Sequence, residues 1–104
     1  MHLEINTAEG IERSPALEAH IRQKLQPVER RFDEKLTRIE VFLKDINATK
    51  GGIDKSCTIE ARVQALDPIA VEAREEDMYK AVKAACSKLE KAVGQRLGRQ
   101  ASKH

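Results

Sequence analysis

The spacing of apolar residues changes three times along this chain, and that change constrains its fold more than any other feature. Leu17, Ile21, Leu25, Val28 and Phe32 recur at intervals of three or four, which gathers them on one face of a helix. From Leu36 the period drops to two. Ile39, Val41 and Leu43 point one way while Arg38, Glu40, Phe42 and Lys44 point the other, which predicts a long half-buried strand. Cys57, Ile59, Ala61, Val63 and Ala65 alternate in the same manner, and Ile69, Val71 and Ala73 supply a further strand. The helical period then returns with Met78, Val82, Ala85, Leu89, Val93 and Leu97, a predicted rod of roughly 30 Å at 1.5 Å per residue.

The punctuation between these segments agrees with them. At the N-terminus Leu3 and Ile5 alternate with His2, Glu4 and Asn6, a short strand that breaks at Gly10. Ser14 can cap the first helix, Pro15 suits its first position because the missing N–H would have had no partner, and Glu18 complements the helix dipole. Pro27 removes the bond to the Gln23 carbonyl, yet the apolar stripe continues in phase beyond it, so we expect one kinked helix. Gly51-Gly52, in the Asn47–Asp54 loop, supplies one hairpin turn and Asp67-Pro68 another. Glu75, Glu76 and Asp77 place acid at the start of the last helix, where it is favoured, whereas Gly94 and Gly98 each weaken the end of that helix by about 1 kcal/mol.

The resulting order, β-α-β-β-β-α, predicts an α+β two-layer sandwich. A right-handed crossover through the first helix sets the first strand parallel to the second, and two hairpins make the other pairs antiparallel. The four-stranded mixed sheet should carry both helices on one face and leave the other in water. A chain of 104 residues has room for one such core. We expect a single domain over residues 1–99 and a basic tail over 100–104.

Several kinds of chemistry lack their residues. His2, His20 and His104 show no ligand spacing with carboxylates or cysteines, so no metal is expected. Cys57 and Cys86 have no evident base and read as small buried hydrophobes, not as nucleophiles or a disulfide framework. Neither a dinucleotide fingerprint, nor a phosphate-binding loop, nor a nucleophile elbow occurs, so neither a cofactor nor catalysis is expected. No apolar run is long enough to span a bilayer and the first residues do not resemble a secretory signal, so the expected location is the cytoplasm, without membrane contact.

Charge is distributed unevenly. The formal net charge is only +2, but from Lys80 onward Lys80, Lys83, Lys88, Lys91, Arg96, Arg99 and Lys103 face the single acid Glu90. Arg22, Lys24, Arg30 and Arg31 add to the first helix, diluted by Glu18 and Glu29. Two helices side by side would join these flanks into a basic wall suited to phosphates. Phe32, Phe42 and Tyr79 are the whole aromatic complement, so such a wall would read backbone shape instead of stacking many bases. On the open face of the sheet, Arg38, Glu40, Glu60, Arg62, Glu72 and Arg74 mix both signs, and cross-strand ion pairing accounts for them, leaving Phe42 as a candidate contact.

Two stretches carry a family resemblance. Glu76-Asp77-Met78-Tyr79 followed by Ala81-Val82 and Lys88-Leu89, together with Ser14-Pro15-Ala16-Leu17, Lys24-Leu25 and Glu29 to Asp33, resembles the ribosome hibernation-promoting factors. That family also goes by ribosome-associated inhibitor A, protein Y and sigma-54 modulation protein. The resemblance covers Leu3 to about Arg99, with Pro27 and the Asn47–Asp54 loop departing from the family pattern. It implies a non-enzymatic, cytoplasmic translation inhibitor, monomeric off the ribosome, that occupies the messenger and transfer-RNA channel of the small ribosomal subunit. Carried over by position, Lys24, Lys88 and Lys91 would face ribosomal RNA, with Arg96 and Arg99 continuing the stripe. Arg30, Arg31, Lys80 and Lys83 complete the candidate RNA-binding set. The chain would be a short form, without the C-terminal dimerisation domain of longer members. Two alternatives stand beside this reading: a double-stranded RNA-binding module, and a regulator that binds a sigma factor through the open sheet face.

Overall fold

Four strands and two long helices form in the expected order. The computed structural model describes residues 1–8, 11–46 and 54–101, so Gly10 and the Gly51-Gly52 turn lie outside the described residues. Strand β1 spans His2–Thr7, helix α1 Pro15–Phe32, β2 Leu36–Asp45, β3 Lys55–Val63, β4 Ile69–Glu75 and α2 Met78–Ala101, with a single 3-10 turn at Asp33–Lys35 before β2. The sheet order is β1-β2-β3-β4, with β1 parallel to β2 and the other pairs antiparallel. This is the predicted α+β sandwich.

Local signals account for the helix ends. The Ser14 hydroxyl accepts the Leu17 N–H at 3.1 Å, and Pro15 occupies the first turn. The helix then runs through Pro27 to Phe32, because Leu17, Ile21, Leu25, Val28 and Phe32 are all buried and their packing outweighs one missing hydrogen bond. Asp33 ends it with φ 43°, its N–H donating to the Glu29 carbonyl. At α2 the Asp77 carboxylate accepts the Tyr79 N–H at 2.8 Å, so one member of the predicted acidic run is the cap itself. The helix continues to Ala101.

Register sets the core in rows. Leu3, Ile39, Ala61 and Ile69 lie side by side across the four strands, as do Ile5, Val41, Ile59 and Val71. Beneath them pack the buried stripes of α1 and α2, including Ile21, Leu25, Val82, Leu89 and Val93. The molecule measures 50 × 26 × 18 Å; its thin dimension is that of one sheet and one helical layer, and α2 supplies much of the length.

Two details differ from the sequence reading. Strand β3 stops at Val63, and Ala65 sits exposed in the following turn with φ 68°, where the Leu66 N–H donates to the Val63 carbonyl. The turn therefore begins before Asp67-Pro68, since a chain bound to reverse at Val63 cannot keep Ala65 in phase. The open-face charges are also arranged differently: Arg38 stands opposite Arg62 and Glu40 opposite Glu60. Like charges thus face each other on β2 and β3, and compensation runs along the strands, from Arg38 to Glu40 at 3.0 Å and from Arg74 to Glu72 at 3.2 Å. Between strands, Arg38 also pairs with Glu4. Long side chains reach diagonal and second neighbours as well as direct ones, so these open-face charges are compensated without pairing directly opposite one another. The ion pair that does cross β2 and β3 among the described residues is Asp45 with Lys55 at 3.2 Å, at the strand ends.

Cys57 and Cys86 are free and buried, on facing layers of the core. Burial pushes both thiols up from 9.0 to about 12, and the neighbouring Cys86 adds to the rise at Cys57. At neutral pH both thiols are expected to resist an aromatic disulfide reagent in the native protein and to react when the chain is denatured. Above about pH 9 the unfolded chain releases protons that the native chain retains, so stability falls as pH rises from there towards about 12. Urea midpoints across that range should fall less for Cys57→Ala than for the wild type.

Candidate nucleic-acid interface

The two helices lie side by side and run in the same direction. His20 meets Tyr79 at one end, Lys24 shares a groove with Lys83 and Cys86, and Arg31 pairs with Glu90 further along. Their outer surfaces therefore form one continuous face, because each helix spends its apolar stripe on the sheet and the shared core.

Most cations of the two helices stand unneutralised. Among the described residues, Lys24, Arg30, Lys80, Lys83, Lys88, Lys91 and Arg96 have no carboxylate within ion-pair distance. The sheet face contrasts with them. There Lys44 and Arg62 also lack a carboxylate within ion-pair distance among the described residues, but Arg38 and Arg74 are paired with glutamates and Glu60 adds a further acid, so the face is mixed in sign. The hydrogen bond to Glu40 is the main cause holding the Arg38 guanidinium above its ordinary pKa. Cations already neutralised gain less from a phosphate, so the helical layer is the surface to which an extended anion is drawn.

The predicted residues do not form one stripe. Lys80 and Lys91 are exposed on the outer surface of α2, whereas Lys83 lines the groove beside α1. Lys88 turns towards the opposite side, where its ammonium donates to the Glu72 carbonyl on β4 at 2.9 Å. Arg96 and Arg99 line a cavity of about 440 Å³ with Ala65, Leu66, Asp67 and Gln100 at the β3–β4 turn. From Lys83 to Arg96 is about 20 Å of helix, so the arginines form a separate cluster.

Arg31 is held in place. Its guanidinium pairs with Glu90 at 3.5 Å, lies 5.0 Å from the Phe32 ring centre, and crosses α2 at Gly94, where an added Cβ would come within 2.7 Å of it. A side chain at this position would have to displace the end of the Arg31 side chain from its place between Glu90 and Phe32. Sequence reasoning grouped Arg31 with the free cations because Glu90 is 59 positions away, and nothing local signals their meeting.

The contact between His20 and Tyr79 was also invisible in the sequence. The His20 ring meets the Tyr79 ring edge-on at 4.8 Å, and its Nε2 hydrogen-bonds the Tyr79 carbonyl at 3.0 Å. Tyr79 and Phe42 are both exposed, on opposite faces of the molecule. Among the described residues, no group of three or more histidines, cysteines or acids is placed to hold a metal, and no helix is long and apolar enough to cross a membrane.

Comparison with known proteins agrees with this architecture. Residues 5–101 match the sigma 54 modulation protein / S30EA ribosomal protein family. A ribosome hibernation promotion factor from Bacillus subtilis (strain 168) is 34% identical over 87 residues, covering 82% of this chain and 43% of the relative. The chain therefore spans less than half the length of that protein. Among solved structures, a ribosomal subunit interface protein from Coxiella burnetii superposes with a TM-score of 0.74 at 23% identity, covering 94% of this chain and 99% of the other. The N-terminal domain of Thermus thermophilus Protein Y gives a TM-score of 0.74 at 21% identity, with coverages of 91% and 98%. At these identities the structural likeness speaks for the fold.

Proposed function

The chain belongs to the sigma 54 modulation protein / S30EA ribosomal protein family, and from that premise we propose that it is a ribosome hibernation factor, binding the small subunit and blocking translation. Its helical layer lies against ribosomal RNA in the channel that messenger and transfer RNA otherwise occupy. The observation that supports this reading is the segregation of charge: Lys24, Arg30, Lys80, Lys83 and Lys91 stand on the helical layer without carboxylate partners among the described residues. A polyanion reached through phosphates is the partner such a face selects. The protein acts in the cytoplasm as a monomer, with residues 1–99 as the binding unit and residues 100–104 as a basic extension.

Co-sedimentation with purified small subunits across a salt series tests the proposal, with vacant and messenger-loaded particles in parallel. Five cations each neutralising one phosphate predict that log K falls with log salt at a slope of about −4. Messenger and transfer RNA should suppress binding. A free RNA duplex that competes as well as the vacant subunit would favour the double-stranded RNA module instead, and no binding at low salt would refute the ribosomal reading.

A further inference from the structure

Tyr79 is an exposed aromatic whose backbone is fixed at the start of α2 and whose ring has His20 beside it. Its N–H donates to the Asp77 carboxylate at 2.8 Å, its carbonyl accepts from His20 at 3.0 Å, and the His20 ring buttresses its ring edge-on, yet 39% of the residue remains open to solvent. A tyrosine serving only to lock α1 onto α2 would bury its ring, because aromatic surface left in water forfeits most of what it could contribute. The part turned to solvent is thus an uncommitted aromatic surface with His20 beside it.

What lies beside it indicates the kind of ligand. One helical turn beyond Tyr79 is Lys83, and one turn beyond His20 is Lys24. These two lysines line the interhelical groove, a shallow space of about 160 Å³ shared with Pro27, Val28, Cys86, Ser87 and Glu90. Neither lysine has a carboxylate within ion-pair distance among the described residues. Glu90, which lines the same groove, is committed to Arg31, so the two lysines leave the groove net cationic and suited to an anion. The Tyr79 ring and the cation pair are separated by one helical turn, about 5.4 Å, which is on the scale of a single nucleotide. Aromatic stacking joined to a cationic track is how single-stranded RNA is held.

We propose that Tyr79, backed by His20, stacks one unpaired nucleobase of the bound RNA, whose phosphate sits between Lys24 and Lys83. The inference rests on the RNA-binding reading and adds to it a nucleotide-sized subsite that grips a splayed-out base, where a duplex would offer only its backbone. The subsite adds to the affinity that phosphate contacts elsewhere on the face supply, through a base contact that does not depend on salt.

The test is binding of the full chain to vacant small subunits by co-sedimentation, comparing Tyr79→Phe, Tyr79→Leu, Lys24→Gln and Lys83→Gln with wild type. Tyr79→Phe keeps the ring and should bind as wild type. Tyr79→Leu keeps apolar contact but loses the flat ring and should weaken binding by roughly 5- to 100-fold with an unchanged salt slope. Each lysine variant should make that slope shallower by about one unit. Thermal unfolding accompanies every variant, and an unchanged midpoint identifies the loss as one of contact. Wild-type affinity in Tyr79→Leu, or a loss in Tyr79→Phe equal to that in Tyr79→Leu, overturns the subsite while ribosome binding stands. Failure of the wild type itself to bind removes the underlying reading and the subsite together.

Discussion

Replacing Lys80, Lys83 and Lys91 together by glutamate is expected to weaken binding to the small subunit by about 100-fold or more at roughly 0.1 M salt. All three are exposed on α2, and among the described residues none has an acid to release. Each substitution removes one phosphate contact and adds a repulsion, so a loss of about 1 kcal/mol per site is a conservative sum, and every 1.4 kcal/mol is tenfold. Stability should change by less than about 0.5 kcal/mol per site, because no core contact is touched. Lys44→Glu is the matched control: an exposed cation on the sheet face, expected to alter affinity by less than about threefold. Co-sedimentation with the salt series measures both. Equal losses per charge reversed in the triple variant and the control would mean that net charge, and not the helical face, governs binding.

Truncating Leu89 to alanine should cost about 2 to 5 kcal/mol of stability. Leu89 is fully buried midway along α2 and belongs to the core formed with the sheet and α1. The cavity left behind cannot close readily, since its neighbours belong to a rigid sheet and a helix fixed at both ends of its stripe. Against a total of about 5 to 15 kcal/mol for a domain of this size, the loss is a large fraction. At about 4 °C or more per kcal/mol, the melting temperature should fall by about 8 °C or more. Leu97→Ala, at a position only partly buried at the core's edge, should lose less. A Leu89 variant melting with the wild type would mean that the apolar stripe of α2 does not face the sheet.

Most of the fold was legible because its signals are local. The two helical stripes, the alternation in β2 to β4, the Ser14 cap and the acid at Asp77 each depend on residues a few positions apart, and all hold in the structure. The Ala65 phase failed where two local signals competed: alternation extends β3, while the reversal of the chain ends it at Val63. Of the candidate interface, the concentration of cations on the last helix was legible, but their partners were not. Arg31 meets Glu90, and His20 meets Tyr79, across 59 positions of sequence in each case.

The amino-acid order by itself determined the layers and the sign of the helical face. Hydrophobic period assigns each segment its buried side, and with that side buried the lysines of α2 have nowhere to go but outward. Only the tertiary structure decided which of those lysines act together. Strand register put like charges opposite one another on the sheet, and helix docking brought Lys24 beside Lys83, sent Lys88 to β4 and gathered Arg96 and Arg99 at the far turn. The reason is geometric: a period of 3.6 or 2 fixes the direction of a side chain about its own element, whereas its neighbour on the next element depends on how the two pack.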